Sequence, residues 1–140
     1  MMSFVTKPGA MRPEPPEDTD TGDEERRRRE RSDRRMARLG SQVFVCNGGR
    51  CQRLGADGLL RRFRAEAAKR DEDRLRVTET RCTGRCVDSC SVVVYPDGVW
   101  YRNVTEVAVP AIVARHTGGD HGVDSLVSFF YQDGRFVKNQ

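Results

Sequence analysis

Four of the five cysteines fall in two tight pairs, Cys46-x4-Cys51 and Cys82-x3-Cys86, with 30 residues between the pairs. Thiolates favour soft and borderline metals, so the two pairs could give four sulfurs to one site. That donor set suits either one zinc ion or two sulfide-bridged irons. Structural zinc prefers C-x2-C knuckles, where one tight turn brings both sulfurs to a single ion. Spacings of four and three are looser and fit a wider, two-metal cluster better, but spacing alone leaves zinc open. A catalytic dithiol would use C-x-x-C, and the sequence has none. A histidine-ligated centre would need Cys-His pairs, which are also absent. No pattern of general base, nucleophile or substrate pocket stands out, so no enzyme chemistry of the chain's own is expected.

Both pairs need elements that deliver them to one place. Gln42-Val43-Phe44-Val45 is a run of β-formers ending at Cys46, and Asn47-Gly48-Gly49 must turn. Leu59, Leu60, Phe63 and Ala67 then recur at three- and four-residue steps, which predicts an amphipathic helix over 56–70 with Asp57 near its start as a cap. The alternating run Leu75–Thr80 predicts a second strand, and it leads into Cys82. Strand, helix, strand predicts a parallel unit whose two cysteine loops share the carboxyl edge of the sheet, where open α/β sheets hold their ligands. Ser91–Tyr95, the turn Pro96-Asp97-Gly98 and Val99–Tyr101 predict a hairpin. Thr105 is expected to cap a helix running to about His116, with Pro110 in its first turn. Residues 123–131 could form a last short helix or strand, and Asp133-Gly134 another turn.

The chain has 140 residues and a formal charge of +4. The first 40 residues are not expected to join a core, and large apolar side chains are nearly absent from residues 12–23. Residues 12–23 are rich in proline and acid, and a basic block from Arg26 to Arg38 follows. Glu24 and Glu25 stand four residues before Arg28 and Arg29, a spacing that favours helix. The expectation is a charged leader over 1–40, disordered or partly helical, and one domain over 41–140. No aromatic residue interleaves the arginines, so nucleic acid is not expected as a partner. No run of 18 apolar residues and no secretory pattern exists, which points to a cytoplasmic protein without membrane insertion. In that compartment clustered cysteines serve metal or redox chemistry rather than disulfides.

The stretch Val43-Phe44-Val45-Cys46 with Cys51, then Arg81-Cys82-Thr83-Gly84-Arg85-Cys86, then Val92–Tyr101, resembles the thioredoxin-like [2Fe–2S] ferredoxins. That family includes small bacterial ferredoxins and the cluster-bearing small subunit of NADH dehydrogenase. The likeness covers about residues 42–117 and leaves out the leader and the C-terminal stretch. It implies an α/β thioredoxin-like sandwich with a mixed four-stranded sheet. It further implies a one-electron carrier with a [2Fe–2S] cluster, Cys46, Cys51, Cys82 and Cys86 as the iron ligands, and a homodimer in many members. The family commonly has proline four residues after the last ligand; this chain has Cys90 there, a spare thiol expected to be a small core residue.

Arg50, Arg81 and Arg85 flank the cysteines. Cations there would favour the more negative, reduced state of a four-thiolate cluster and would give redox partner proteins with an acidic surface a place to dock. The competing class is a zinc- or cluster-stabilised adaptor that holds a partner through the arginine-rich leader. A third is a redox sensor that signals through Cys90.

Overall fold

The computed structural model describes residues 21–71, 73–119 and 122–140. The chain divides between Arg34 and Arg35 into two units. Helix α1, Gly22–Arg38, buries none of its residues. It is stabilised locally instead: acids occupy its first turn and arginines its last, in line with the helix dipole. Arg26–Asp23 and Arg29–Glu25 pair along its face at 2.8 and 3.8 Å. The basic half of the leader is therefore helical, and the proline-rich acidic half lies almost wholly outside the described residues.

The second unit is built on one sheet. Strands β1 (Ser41–Cys46), β2 (Leu75–Thr80), β3 (Val92–Tyr95), β4 (Val99–Tyr101), β5 (Val127–Gln132) and β6 (Arg135–Lys138) lie in the order β2-β1-β3-β4-β5-β6. β1 and β2 are parallel and the other neighbours antiparallel. The connection between the parallel strands carries the short helix α2 (Gly49–Arg53) and α3 (Ala56–Arg70); α4 (Val109–His116) follows the β3–β4 hairpin. The thioredoxin-like arrangement expected from sequence is present in β1 to β4 with α3 and α4.

One sheet face carries the core. Val43, Val45, Val92, Val94 and Tyr101 from the strands meet Leu59, Phe63, Ile112 and Val113 from α3 and α4, all within 2% of full burial. The helical repeat of Leu59, Leu60, Phe63 and Ala67 is the buried stripe of α3. Cys46, Cys51 and Cys90 belong to the same apolar cluster, so the core runs unbroken up to the cysteine loops. The opposite face is aromatic: Phe44, Val93, Trp100 and Phe129 share one register row across β1, β3, β4 and β5.

Three local expectations are corrected. The sheet has six strands, not four. Val127–Gln132 is rich in β-formers, and Asp133 and Gly134 both adopt positive φ, 52° and 83°, the backbone of a two-residue hairpin turn. Asp57 lies in the first turn of α3 rather than capping it; Gly55 holds the cap position with φ 99°. Thr105 makes no side-chain cap either, because a 3-10 turn over Glu106–Ala108 leads directly into α4, with Pro110 in its first turn.

Phe63 is fully buried between α3 and the sheet. Phe63→Ala should cost about 3–5 kcal/mol, the usual penalty for deleting a core aromatic ring, read as a lower midpoint in chemical denaturation of the metal-free protein.

Candidate metal centre

The two cysteine pairs meet because of strand register. β1 and β2 run in step from Ser41 opposite Leu75 to Cys46 opposite Thr80, so both chains leave the sheet at the same edge. The Asn47 N–H donates to the Thr80 carbonyl at 2.8 Å and fixes the first loop over the second. The chain then turns at Gly48 and enters α2, which carries Cys51 on its buried side. A β-carbon at Gly48 would lie 2.9 Å from Cα and Cβ of Cys82. No other residue allows the loops to approach so closely.

The second loop, Arg81 to Arg85, contains almost nothing apolar and is held by polar ties. Thr83 Oγ1 and Ser91 Oγ lie 3.0 Å apart, and the Ser89 hydroxyl donates to the Cys86 carbonyl at 2.8 Å. Gly84, at φ 86°, turns its N–H onto Cys82 Sγ at 3.3 Å. Cys82 Sγ and Cys86 Sγ are 3.5 Å apart. The resulting cavity is lined by Cys46, Cys51, Cys82 and Cys86, with Gly48, Gly49, Arg50 and Arg85 completing the wall. The structure thus brings all four cysteines of the two pairs to one cavity. Cys46 and Cys51 are buried, whereas Cys82 and Cys86 are exposed.

Sulfur chemistry in the cavity is uneven. Burial pushes the Cys46 thiol up, but hydrogen bonds from the backbone of Gly48 and Thr83, with side-chain help from Cys51 and Thr83, bring it below the ordinary thiol value. Cys86 is raised, first by its hydrogen bond with Cys82 and then by that neighbour's charge. Thiolates packed together repel one another unless a cation lies among them. The donor set therefore fits a multivalent, thiophilic metal group, and the N–H groups on sulfur fit a group that places negative charge there.

The flanking residues separate into distinct roles. Arg50 and Arg81 are exposed at the rim. Arg85 is different: its guanidinium pairs with Asp88 at 2.9 Å and lies over the Phe129 ring, 5.0 Å from the centroid. Its charge is largely spent within the molecule, which corrects the grouping of the three arginines as equivalent. Cys90 is buried behind Cys51, its thiol directed to the Cys51 carbonyl at 3.5 Å, and burial raises it to about 11. The ring of His116, at the end of α4, bridges Tyr101 Oη and Asp97, each at 2.7 Å. His121 lies outside the described residues. Sequence reasoning missed Asn47, whose amide donates to both Asp57 and Glu79 at 2.9 and 2.8 Å and braces the first loop. It also missed Asp88, although the i,i+3 spacing from Arg85 was a readable signal.

No protein-family model matches the chain. A relative from Priestia megaterium, assigned as a 2Fe-2S ferredoxin, is 34% identical over 95 residues, covering 68% of this chain and 75% of the relative. A 2Fe-2S ferredoxin of Clostridium pasteurianum is 39% identical over 53% of this chain and 81% of its own length. Among solved structures, the thioredoxin-like [2Fe-2S] ferredoxin from Aquifex aeolicus superimposes with a TM-score of 0.60 at 29% identity, over 67% of this chain and 94% of that one.

The loop contact at Gly48 can be tested without any metal. Gly48→Ala should destabilise the metal-free protein by about 1–3 kcal/mol, as overpacking does. At Gly49 an added β-carbon meets nothing nearer than 3.7 Å. Gly49→Ala should therefore stay within about 0.5 kcal/mol of the parent. Chemical denaturation of the two variants side by side checks the difference.

Proposed function

From the premise that this chain belongs to the thioredoxin-like [2Fe–2S] ferredoxin family, we propose that it is a one-electron carrier holding a [2Fe–2S] cluster on Cys46, Cys51, Cys82 and Cys86. The observation that carries the reading is the meeting of these four thiols around one cavity at the carboxyl edge of the parallel strands. The cluster, when bound, supplies a centre that takes up and releases one electron at a time.

The chain's own residues set how that centre behaves. The buried Cys46 and Cys51 would hold a bound cluster from the core side, and the exposed Cys82 and Cys86 would hold it from the solvent side. Electron exchange with another protein therefore takes place across the Cys82–Cys86 loop. The N–H groups of Gly48, Thr83 and Gly84 that point at sulfur stabilise negative charge and raise the reduction potential relative to an unbonded site. Arg50 and Arg81 form a basic rim beside the exposed pair and suit a redox partner protein with an acidic docking surface. No step in this role requires a substrate pocket or a general base. Cys90 is a packing residue in this reading, set behind the cavity rather than in its wall.

Anaerobically purified protein should show visible absorption that bleaches with dithionite and a spin-half EPR signal on reduction. Serine at Cys46, Cys51, Cys82 or Cys86 should abolish or strongly perturb both signals, whereas Cys90→Ser should keep them. A colourless protein with one zinc per chain would overturn the reading. The docking rim makes a separate claim. Arg50→Glu with Arg81→Glu should slow electron exchange with an acidic partner by about tenfold or more at low salt, and the difference should shrink as salt is added. Stopped-flow measurement across ionic strengths checks it.

A further inference from the structure

Arg85 stands immediately before Cys86 and is shared by two cavities. On one side it helps to line the thiol cavity. On the other it lines a groove of about 200 Å³ with Trp100, Phe129 and Phe136 on the aromatic sheet face. Its guanidinium is gripped from two directions. Nε donates to a carboxylate oxygen of Asp88 at 3.0 Å, and Nη2 lies 2.9 Å from the same oxygen in the ion pair. Asp88 is itself 8% exposed, and its carbonyl accepts the Asn103 N–H at 2.9 Å, so it is a fixed anchor. The second grip is the Phe129 ring, which comes from β5, more than forty residues further along the chain. Phe129 is in turn placed by register opposite Trp100, and Trp100 meets Phe136 of β6 edge-on at 6.1 Å.

The loop that this arginine belongs to is held by polar ties rather than by apolar packing. Cys82 and Cys86 are exposed, and Gly84 between them sits at positive φ. A cation over an aromatic ring is an attractive contact that depends on its placement over the ring face, and the ion pair with Asp88 fixes that placement from the other side. We propose that Arg85 is a positioning residue for the Cys82–Cys86 pair, clamped between Asp88 and Phe129, so that the β5–β6 hairpin forms part of the support of the metal centre. The proposal deepens the ferredoxin reading and rests on it for its spectroscopic test. It gives the last two strands a direct line to the solvent-facing side of the site.

The test compares Phe129→Leu, Phe129→Tyr, Arg85→Met and the double variant Arg85→Met/Phe129→Leu. Leucine keeps the apolar bulk and removes the ring; tyrosine keeps the ring. In the cluster-loaded protein, Phe129→Leu should change the EPR line shape and the reduction potential, and should speed cluster loss to a chelator by about two- to fivefold, the range of one partly exposed cation–ring contact. Phe129→Tyr should match the parent. The double variant should release its cluster no faster than Arg85→Met alone, because both changes remove one interaction. Additive effects, or a Phe129→Leu protein identical to the parent in line shape, potential and release, would overturn the clamp. Emission from Trp100, the one tryptophan in the sequence, verifies that each variant keeps its fold; where Phe129→Leu does not, Phe129→Met takes its place. If the parent binds no cluster, the ferredoxin reading fails alone. Alkylation of Cys86 in metal-free protein then decides the clamp: equal acceleration in Phe129→Leu and Arg85→Met supports it, and an unchanged rate in Phe129→Leu sinks it.

Discussion

The parallel pairing of β1 with β2 is the constraint on which everything at the site depends. Cys46 and Cys82 are distant in sequence, and only the register that sets Cys46 opposite Thr80 brings their loops to one edge. A shift of one residue would turn Val43 and Val45 out of the core and carry Cys46 with them. The valines therefore do two jobs with one set of contacts. Burial of their side chains against α3 and α4 stabilises the unit, and the same burial locks the position of the first thiol.

That coupling explains the unequal environments of the four thiols. Cys46 and Cys51 are continuous with the apolar core, so their positions are secured by packing. Cys82 and Cys86 sit on a loop with nothing to bury, and a loop without apolar contacts is ordinarily the first part of a structure to open. Here polar ties replace packing: Thr83 to Ser91, Ser89 to the Cys86 carbonyl, and Arg85 to Asp88. Gly48 adds a contact of a different kind, because the absence of a side chain lets Cys82 rest directly on the first loop. An exposed pair held in this way can face another protein and still keep its geometry.

Most of this was legible in the sequence, for reasons that differ between elements. The α3 stripe and the alternation in Leu75–Thr80 are strong periodic signals, and both elements have the expected bounds, although within β2 only Leu75 is fully buried. The meeting of the cysteine pairs could be inferred because a strand–helix–strand order admits few arrangements. Asp57 and Thr105 failed as caps because residue type was read without the preceding backbone: Gly55 and a 3-10 turn had already begun those helices. His116 stands in the last turn of α4 as expected, but its ring also meets Tyr101 and Asp97, which come from a different part of the chain. Local pattern cannot show such contacts.

The same distinction separates the three arginines. Each looked alike in sequence, a cation beside a ligand-type cysteine, and a cation in water is screened by salt whatever its neighbour. What decides its effect is the other groups within reach. Arg50 and Arg81 are exposed to solvent. Arg85 lies between a buried carboxylate and an aromatic ring, so its attraction is directed inward and acts on the backbone that carries Cys86. A charge of the same sign thus stands in open solvent at two positions and in a paired, stacked setting at the third. The difference is set by Asp88, close in sequence, and by Phe129, which only the added hairpin brings within reach.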